Sequence, residues 1–461
     1  MKNSNKIANG IIITLLIYCL AAFLFIVVLF HSSTLTKIIY ATPIALLPLL
    51  FWVNQKRKCD ISIMLFSLFA GLFIANLGMW RIWIMNNTLP PATEEGLPTD
   101  RRSALEVLND LRAHGEKTFP FFRPGVEITR KLSPVPVIDG KEMMILGSVA
   151  NREILFCNES GKWLLTMTDK YGFHNNNGIY DRPIRTAAVG DSYVFGECVK
   201  EDENFVSRLE QMGISGIANF GIGGIGPLMQ LAILMEYISP YKPAYVLWFY
   251  NEGNDFLDLQ NERKFPGMTN YLYRENYSNQ LMKRQKQIDA WIEKETERRH
   301  AEKQKGFDSR VLTNLLMLWD LKRYIKTVIQ SARGEFRLYE DLKQPDMVLL
   351  YAEILKKADR LVSGWKGHFI FIYNPDTYNR VHHPAYEGFP QRKKVLEMME
   401  SLNIPIIDLT PKLITEHPDP LSLLPFHKLG HYNKKGYQII AEEIKNRLIE
   451  MFGRKAVLNK P

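Results

Sequence analysis

Three uncharged apolar stretches crowd the first eighty residues, and beyond them the chain changes character. Residues 7 to 30, 38 to 53 and 61 to 80 are dominated by Ile, Leu, Phe, Val and Ala. A helix needs about 20 such residues to cross a hydrocarbon core of about 30 Å. The first and third stretches reach that length, while the second is shorter and contains Pro43 and Pro48. We read residues 1–85 as a membrane region of three transmembrane helices. A cleavable signal peptide would have an apolar part of only ~7–15 residues ending at a small-residue cleavage site, and no such site is evident.

The flanking charges set an orientation. Lys2 and Lys6 precede the first stretch and Lys56, Arg57 and Lys58 follow the second, against Lys37 alone in the first connection. Positive residues stay on the cytoplasmic side, which puts the amino terminus inside and everything after the third span in a periplasmic or extracellular location. Trp80, Arg81 and Trp83 suit the interface at the end of that span. Were the second stretch only re-entrant, the large domain would lie inside instead.

After the membrane region, residues 86–102 are turn-rich and read as a linker. Leu105, Val107, Leu108 and Leu111 give 103–114 a helical period. From about 125 to 175 short apolar runs, such as 143–147 and 163–167, alternate with turn residues, so 86–183 is a linker followed by a small β-rich segment. From 184 to 452 the pattern alternates. Strands are expected at 185–189, 215–220, 244–250, 368–373 and 404–408, and helices at 203–212, 227–238, 347–363, 391–402 and 435–451. Strands separated by helices predict a doubly wound parallel sheet of about five strands, covered on both faces. The run 244–250 is apolar throughout, as a central strand should be. Residues 260–345 form an insertion with a stripe of Leu312, Leu315, Leu316, Leu318, Leu321 and Ile325. It reads as a helical hairpin on the sheet edge, or alternatively as a cap over a site. Residues 453–461 are a tail.

Charge and cysteine usage narrow the classes. The formal net charge of +9 raises nucleic acid as a partner, but no zinc-finger spacing, RNA-recognition signature or coherent basic helix accompanies it. Cys19, Cys59, Cys157 and Cys198 include no C-x-x-C pair. Cys157 and Cys198 could pair in an oxidising compartment, yet nothing in the sequence brings them together, and two unpaired thiols are the preferred reading. His174, His382 and His383 have no spaced carboxylate partners and are taken as surface or packing residues, so no metal is expected.

Four stretches fall at the carboxyl ends of expected strands, where open α/β sheets place their chemistry. The first is Gly190-Asp191-Ser192, and the second is Asn219-Phe220-Gly221-Ile222-Gly223-Gly224-Ile225-Gly226. Read literally, Gly221, Gly223 and Gly226 spell a dinucleotide-binding Gly-x-Gly-x-x-Gly with Glu252 as the ribose acid. That alternative follows the second strand rather than the first and leaves Ser192 without a role. The third stretch is Asn251-Glu252-Gly253-Asn254-Asp255 and the fourth is His427-Lys428-Leu429-Gly430-His431, just before the last helix.

Together these blocks resemble the SGNH (GDSL-type) hydrolase superfamily, whose serine, glycine, asparagine and histidine fall here on Ser192, Gly224, Asn254 and His431. The resemblance covers roughly residues 184 to 452 without the insertion. It implies a flavodoxin-like sheet and a cofactor-free Ser-His mechanism. Ser192 attacks an ester carbonyl, His431 takes its proton, and the N–H groups of Ser192 and Gly224 with the Asn254 amide hold the oxyanion. The family's usual aspartate three residues before the histidine is Lys428 here, and Leu429 follows it. This leaves a dyad or an acceptor from elsewhere, for which Asp419 is a candidate. Asp191 is expected to brace the turn. The implied activity is esterase action on acyl, foremost acetyl, esters of cell-surface carbohydrate or glycolipid. The alternatives are an O-acyltransferase using the same serine and a degenerate glycan-binding or scaffolding member.

Overall fold

The computed structural model describes residues 2–29, 41–87, 89–305, 345–382 and 390–458, with 318, 321, 322, 324, 325 and 328. The chain divides into two compact units, the apolar amino-terminal helices and an α/β unit.

In the first unit, helices Lys2–Leu29 and Gln55–Asn87 carry the first and third apolar stretches. Their segments Ser4–Leu24 and Gln55–Arg81 are long and apolar enough to cross a membrane. Among the described residues the second stretch does not reach the length of the third transmembrane helix expected of it, its first residues, 38–40, lying outside them. Ala41–Trp52 is a shorter apolar helix that tightens to a 3-10 turn over Leu47–Trp52. Pro48, without an N–H, sits where the α-helical ladder gives way. The remaining length falls short of the roughly 20 residues a crossing needs.

The leucine stripe of the insertion lies largely outside the described residues, including Leu312, Leu315 and Leu316. Leu321 donates its N–H to Asn76 Oδ1 at 3.1 Å, so this part belongs to the unit of the apolar helices rather than to the sheet edge. The earlier half of the insertion is built into the α/β unit. In helix Gln285–Lys305, Ile288 and Ile292 are buried, and Asp289 accepts the N–H of Ala150 at 2.9 Å.

In the α/β unit the approach segment is mixed rather than purely β. Helices Ala104–Ala113 and Pro124–Thr129 accompany strand β1 (Phe119–Pro120), a hairpin of β2 (Val137–Ile138) and β3 (Lys141–Glu142), and strands β4 (Glu153–Cys157) and β5 (Leu164–Met167). β1, β4 and β5 make a small sheet. The run 143–147, expected as a strand, is buried but belongs to no ladder.

The main sheet has the five expected strands: β6 (Thr186–Gly190), β7 (Ile217–Gly221), β8 (Tyr245–Asn251), β9 (His368–Asn374) and β10 (Ile406–Asp408). All neighbouring pairs are parallel and the order is β7-β6-β8-β9-β10. By chain rank this is 2-1-3-4-5, so the path reverses between β6 and β8 and opens a crevice at their carboxyl ends.

Side chains of β8 alternate between faces. Val246, Trp248 and Tyr250 join Leu228, Leu231, Tyr351 and Ile354 of helices Pro227–Ile233 and Pro345–Gly364. Leu247 and Phe249 join Phe205, Leu209, Tyr437, Ile440 and Ile444 of helices Phe205–Gln211 and Lys434–Phe452 on the other. Each fully buried side chain of this size contributes about 1.5–3 kcal/mol. Helices therefore cover both faces.

Candidate active site

The tip of β6 turns at once into a short helix, Ser192–Phe195. Asp191 is its cap, with Oδ1 accepting the N–H of Tyr193 at 3.0 Å. Gly196, at φ +81°, ends the turn and bonds back to Ser192 O at 3.1 Å. A left-handed residue is needed there, and glycine adopts it without a Cβ clash. The serine is thereby lifted to the mouth of the crevice.

His431 arrives from the other end of the chain. Two residues later Asn433 caps helix Lys434–Phe452, its Oδ1 accepting from Lys435 N at 3.0 Å and Gly436 N at 3.3 Å. Tyr432 between them is buried, with its hydroxyl 2.8 Å from Thr377 Oγ1 and 3.2 Å from Pro375 O. Local capping and one buried tyrosine thus fix the histidine, and its Nε2 lies 2.8 Å from Ser192 Oγ.

The other side of the ring is held by a residue that sequence reasoning missed. Glu159, in the connection between β4 and β5, has Oε1 3.0 Å from His431 Nδ1 and accepts the His431 backbone N–H on Oε2 at 2.7 Å. Asp419 is therefore not the acid partner. It precedes the 3-10 turn Pro420–Leu423, and its carbonyl accepts from Ser422 Oγ at 2.6 Å. The preferred reading of the cysteines is also overturned, because Cys157 and Cys198 form a disulfide with Cα atoms 5.2 Å apart. That bridge ties the end of β4, two residues before Glu159, to the segment that follows the Ser192 turn. A reader who had paired the two cysteines would have found Glu159 two residues from one of them and Glu197 next to the other.

The remaining expected residues are nearby. Asp191 Oδ2 accepts from Asn251 Nδ2 at 2.9 Å and Asn254 Nδ2 at 3.1 Å, which holds the Asn254 amide against the Ser192 turn. Gly224 has φ +74°, and a Cβ there would collide with Val126, so this position requires glycine. The dinucleotide alternative meets an occupied site. Glu262 accepts from Gly226 N at 2.6 Å and Leu228 N at 2.9 Å, filling the helix end where a pyrophosphate would sit. Glu252, the supposed ribose acid, is buried in an ion pair with Arg380 at 2.6 Å.

Electrostatics follow this geometry. Burial opposes a charged His431, but Glu159, Glu197 and Asp191 outweigh it and push the imidazole up to about 9. Burial also opposes ionisation of Glu159, yet His431 and Arg123 hold it below the usual carboxylate range. His174 is a packing residue, as expected. Burial pulls it down to about 4, and its ring nitrogens lie 2.8 Å from Thr166 Oγ1 and 2.7 Å from Phe195 O. His382 packs its ring against Tyr378 at a tilt of 48°, centroids 4.4 Å apart, and His383 lies outside the described residues.

No family model and no curated protein sequence matches this chain.

Proposed function

We propose that this chain is a membrane-anchored serine acyl hydrolase of the SGNH type, working through Ser192, His431 and Glu159. The observation that carries this reading is the continuous relay from Ser192 Oγ through His431 to Glu159, at 2.8 and 3.0 Å, at the switch point of a parallel sheet. Ser192 Oγ bonds to the acyl carbon while its proton passes to His431 Nε2. The alcohol leaves with that proton. Water then attacks the acyl-serine, gives a proton to His431, and the acid departs as Oγ takes the proton back. A sugar hydroxyl in place of water would make the chain an O-acyltransferase. Backbone N–H groups of Ser192 and Gly224 and the Asn254 amide would hold the oxyanion; losing one such donor costs about 10²–10³ in turnover. The degenerate, non-catalytic reading rested on a missing acid, and Glu159 removes that support.

Acyl esters of cell-surface carbohydrate or glycolipid are the substrate class we favour. A cleft of about 380 Å³ borders Cys198 without containing Ser192 or His431; Lys162, Lys200, Lys434 and Lys435 line it beside Glu94, Glu95 and Glu203, and Lys162 pairs with Glu95 at 2.6 Å. Charges of both signs suit a hydroxyl-rich chain rather than an anionic one.

The disulfide favours an oxidising, non-cytosolic location for the α/β unit. With three crossings the amino terminus is inside and the α/β unit outside. With the two long helices alone both lie on one side: Lys2 and Lys6 would draw them inward, whereas Lys37, Lys56, Arg57 and Lys58 in the connection, and the disulfide, favour the outward side. The decisive experiment is hydrolysis of a short-chain aryl ester by the full chain in detergent. Wild type should turn over and Ser192→Ala should not; equal rates would sink the proposal. Acetyl transfer to an oligosaccharide exceeding release to water would select the transferase.

A further inference from the structure

Glu197 takes no part in the relay, yet its side chain is only 3 % exposed and its Oε2 lies 3.8 Å from His431 Nε2, the nitrogen facing Ser192. Its Oε1 is buried with no hydrogen-bond partner among the described residues. A Cβ on Gly223 would collide with that oxygen, so the glycine loop leaves room for the carboxyl. The cation beside it is Arg123, with Nη1 3.5 Å from Oε2 and a side chain 41 % exposed. A buried carboxyl with one weak pairing and one unused oxygen is costly to keep unless another state of the site uses it.

We propose that Glu197 is a second positioning residue for His431, holding the imidazolium's Nε2–H when Ser192 can no longer do so. The inference rests on the acyl-transfer reading. In the tetrahedral intermediate Ser192 Oγ is already bonded to the acyl carbon, and its oxygen is a much poorer acceptor. The proton on Nε2 then needs another acceptor until the alcohol has taken it. An approach of about 1 Å brings Glu197 Oε2 to hydrogen-bond distance.

The groups facing His431 are few. Glu159 comes from the β4–β5 connection, Glu197 from the Ser192 turn, and Asp191 from the tip of β6. Arg123 stands behind Glu197, while Tyr193 and Tyr437 contribute neutral hydroxyls. Burial raises Glu197 above the ordinary carboxylate range, whereas Glu159 is lowered. Two carboxyls on one imidazole, driven apart in acidity, fit separate duties: one fixes the tautomer and the other answers to the charge.

The test uses the full chain in detergent and a fluorophosphonate probe. Ser192 Oγ bonds to phosphorus, fluoride leaves, and the proton goes to His431. The labelling rate is followed against pH in wild type, Glu197→Gln and Glu197→Asp. Removing a negative charge this close lowers the histidine's pKa, so the acid limb should move down by roughly 1–3 units in Glu197→Gln. Glu197→Asp, whose shorter carboxyl recedes from Nε2, should move it in the same direction by less. An acid limb unmoved in Glu197→Gln overturns the inference; if that variant does not fold, an unmoved limb in Glu197→Asp does so. Absence of labelling in wild type would overturn the acyl-transfer reading itself.

Discussion

Glu159 grips His431 twice, accepting its backbone N–H on Oε2 at 2.7 Å while Oε1 faces Nδ1 at 3.0 Å. A carboxylate that holds both the main chain and the ring fixes the ring's position and its tautomer together. Glu159→Gln keeps the shape and loses the charge. We expect turnover to fall by about 10²–10⁴-fold, as when a triad acid becomes an amide, with a drop in melting temperature from the lost pairing with His431 that still leaves the chain folded in the assay. Steady-state kinetics beside a thermal melt check this, and near-wild-type turnover would show that the relay ends at His431.

Gly430 makes that grip possible. A Cβ there would lie 2.5 Å from Glu159 Oε2, closer than van der Waals contact allows. Gly430→Ala should therefore displace the carboxylate and reproduce much of the Glu159→Gln loss without touching any reacting group. The check is turnover of the single and double variants. Losses that multiply would mean the methyl acts elsewhere, since variants acting on one interaction are not additive.

The strands were legible in the sequence and the acid was not. Apolar runs bounded by turn residues placed β6 to β10 because a strand buried on both faces leaves a local mark. Ser192, Asn254 and His431 were found because each follows such a run or precedes the final helix. Glu159 carries no local mark. It lies in a connection outside the alternating region and meets His431 across 272 positions of sequence. Only the pairing of Cys157 with Cys198 encodes that meeting, and no rule of spacing reveals it. The stretch holding Ala41–Trp52 looks like a span by composition, whereas its described part is short and tightens to a 3-10 turn at Pro48.

The bridge itself should matter for stability. Cys157 and Cys198 are 41 residues apart, and closing a loop of that size restricts the unfolded chain by about 4 kcal/mol in the entropic treatment. Cys198 also holds φ +73°, a conformation that costs an ordinary residue on the order of 1–2 kcal/mol. Cys157→Ser with Cys198→Ser should lower the melting temperature by several degrees and reduce turnover, since the connection carrying Glu159 loses its tether. Unaltered melting with and without a dithiol reductant would contradict this.

The pairing of His431 with Glu159 should stabilise the chain most in mildly acidic solution. His431 is raised to about 9, so its contribution is complete below the unfolded value near 6.5 and is lost as pH rises through about 9. Glu159 is lowered, so its contribution is complete above its unfolded value and lost on acidification below it. Both are present together between about pH 4.5 and 6.5. Wild type should therefore lose stability relative to His431→Gln as pH climbs from 6.5 to 9, which chemical denaturation across that range will read.

The covalent link between Cys157 and Cys198 also imposes an order on the protein's life. Its third functional group is delivered by a segment made before the serine, and the two segments are locked together only where thiols are oxidised. On the proposed reading, a newly made chain still in a reducing compartment would lack that lock and be at its weakest among the cell's own esters. Full strength would come with export, where its substrates would be found.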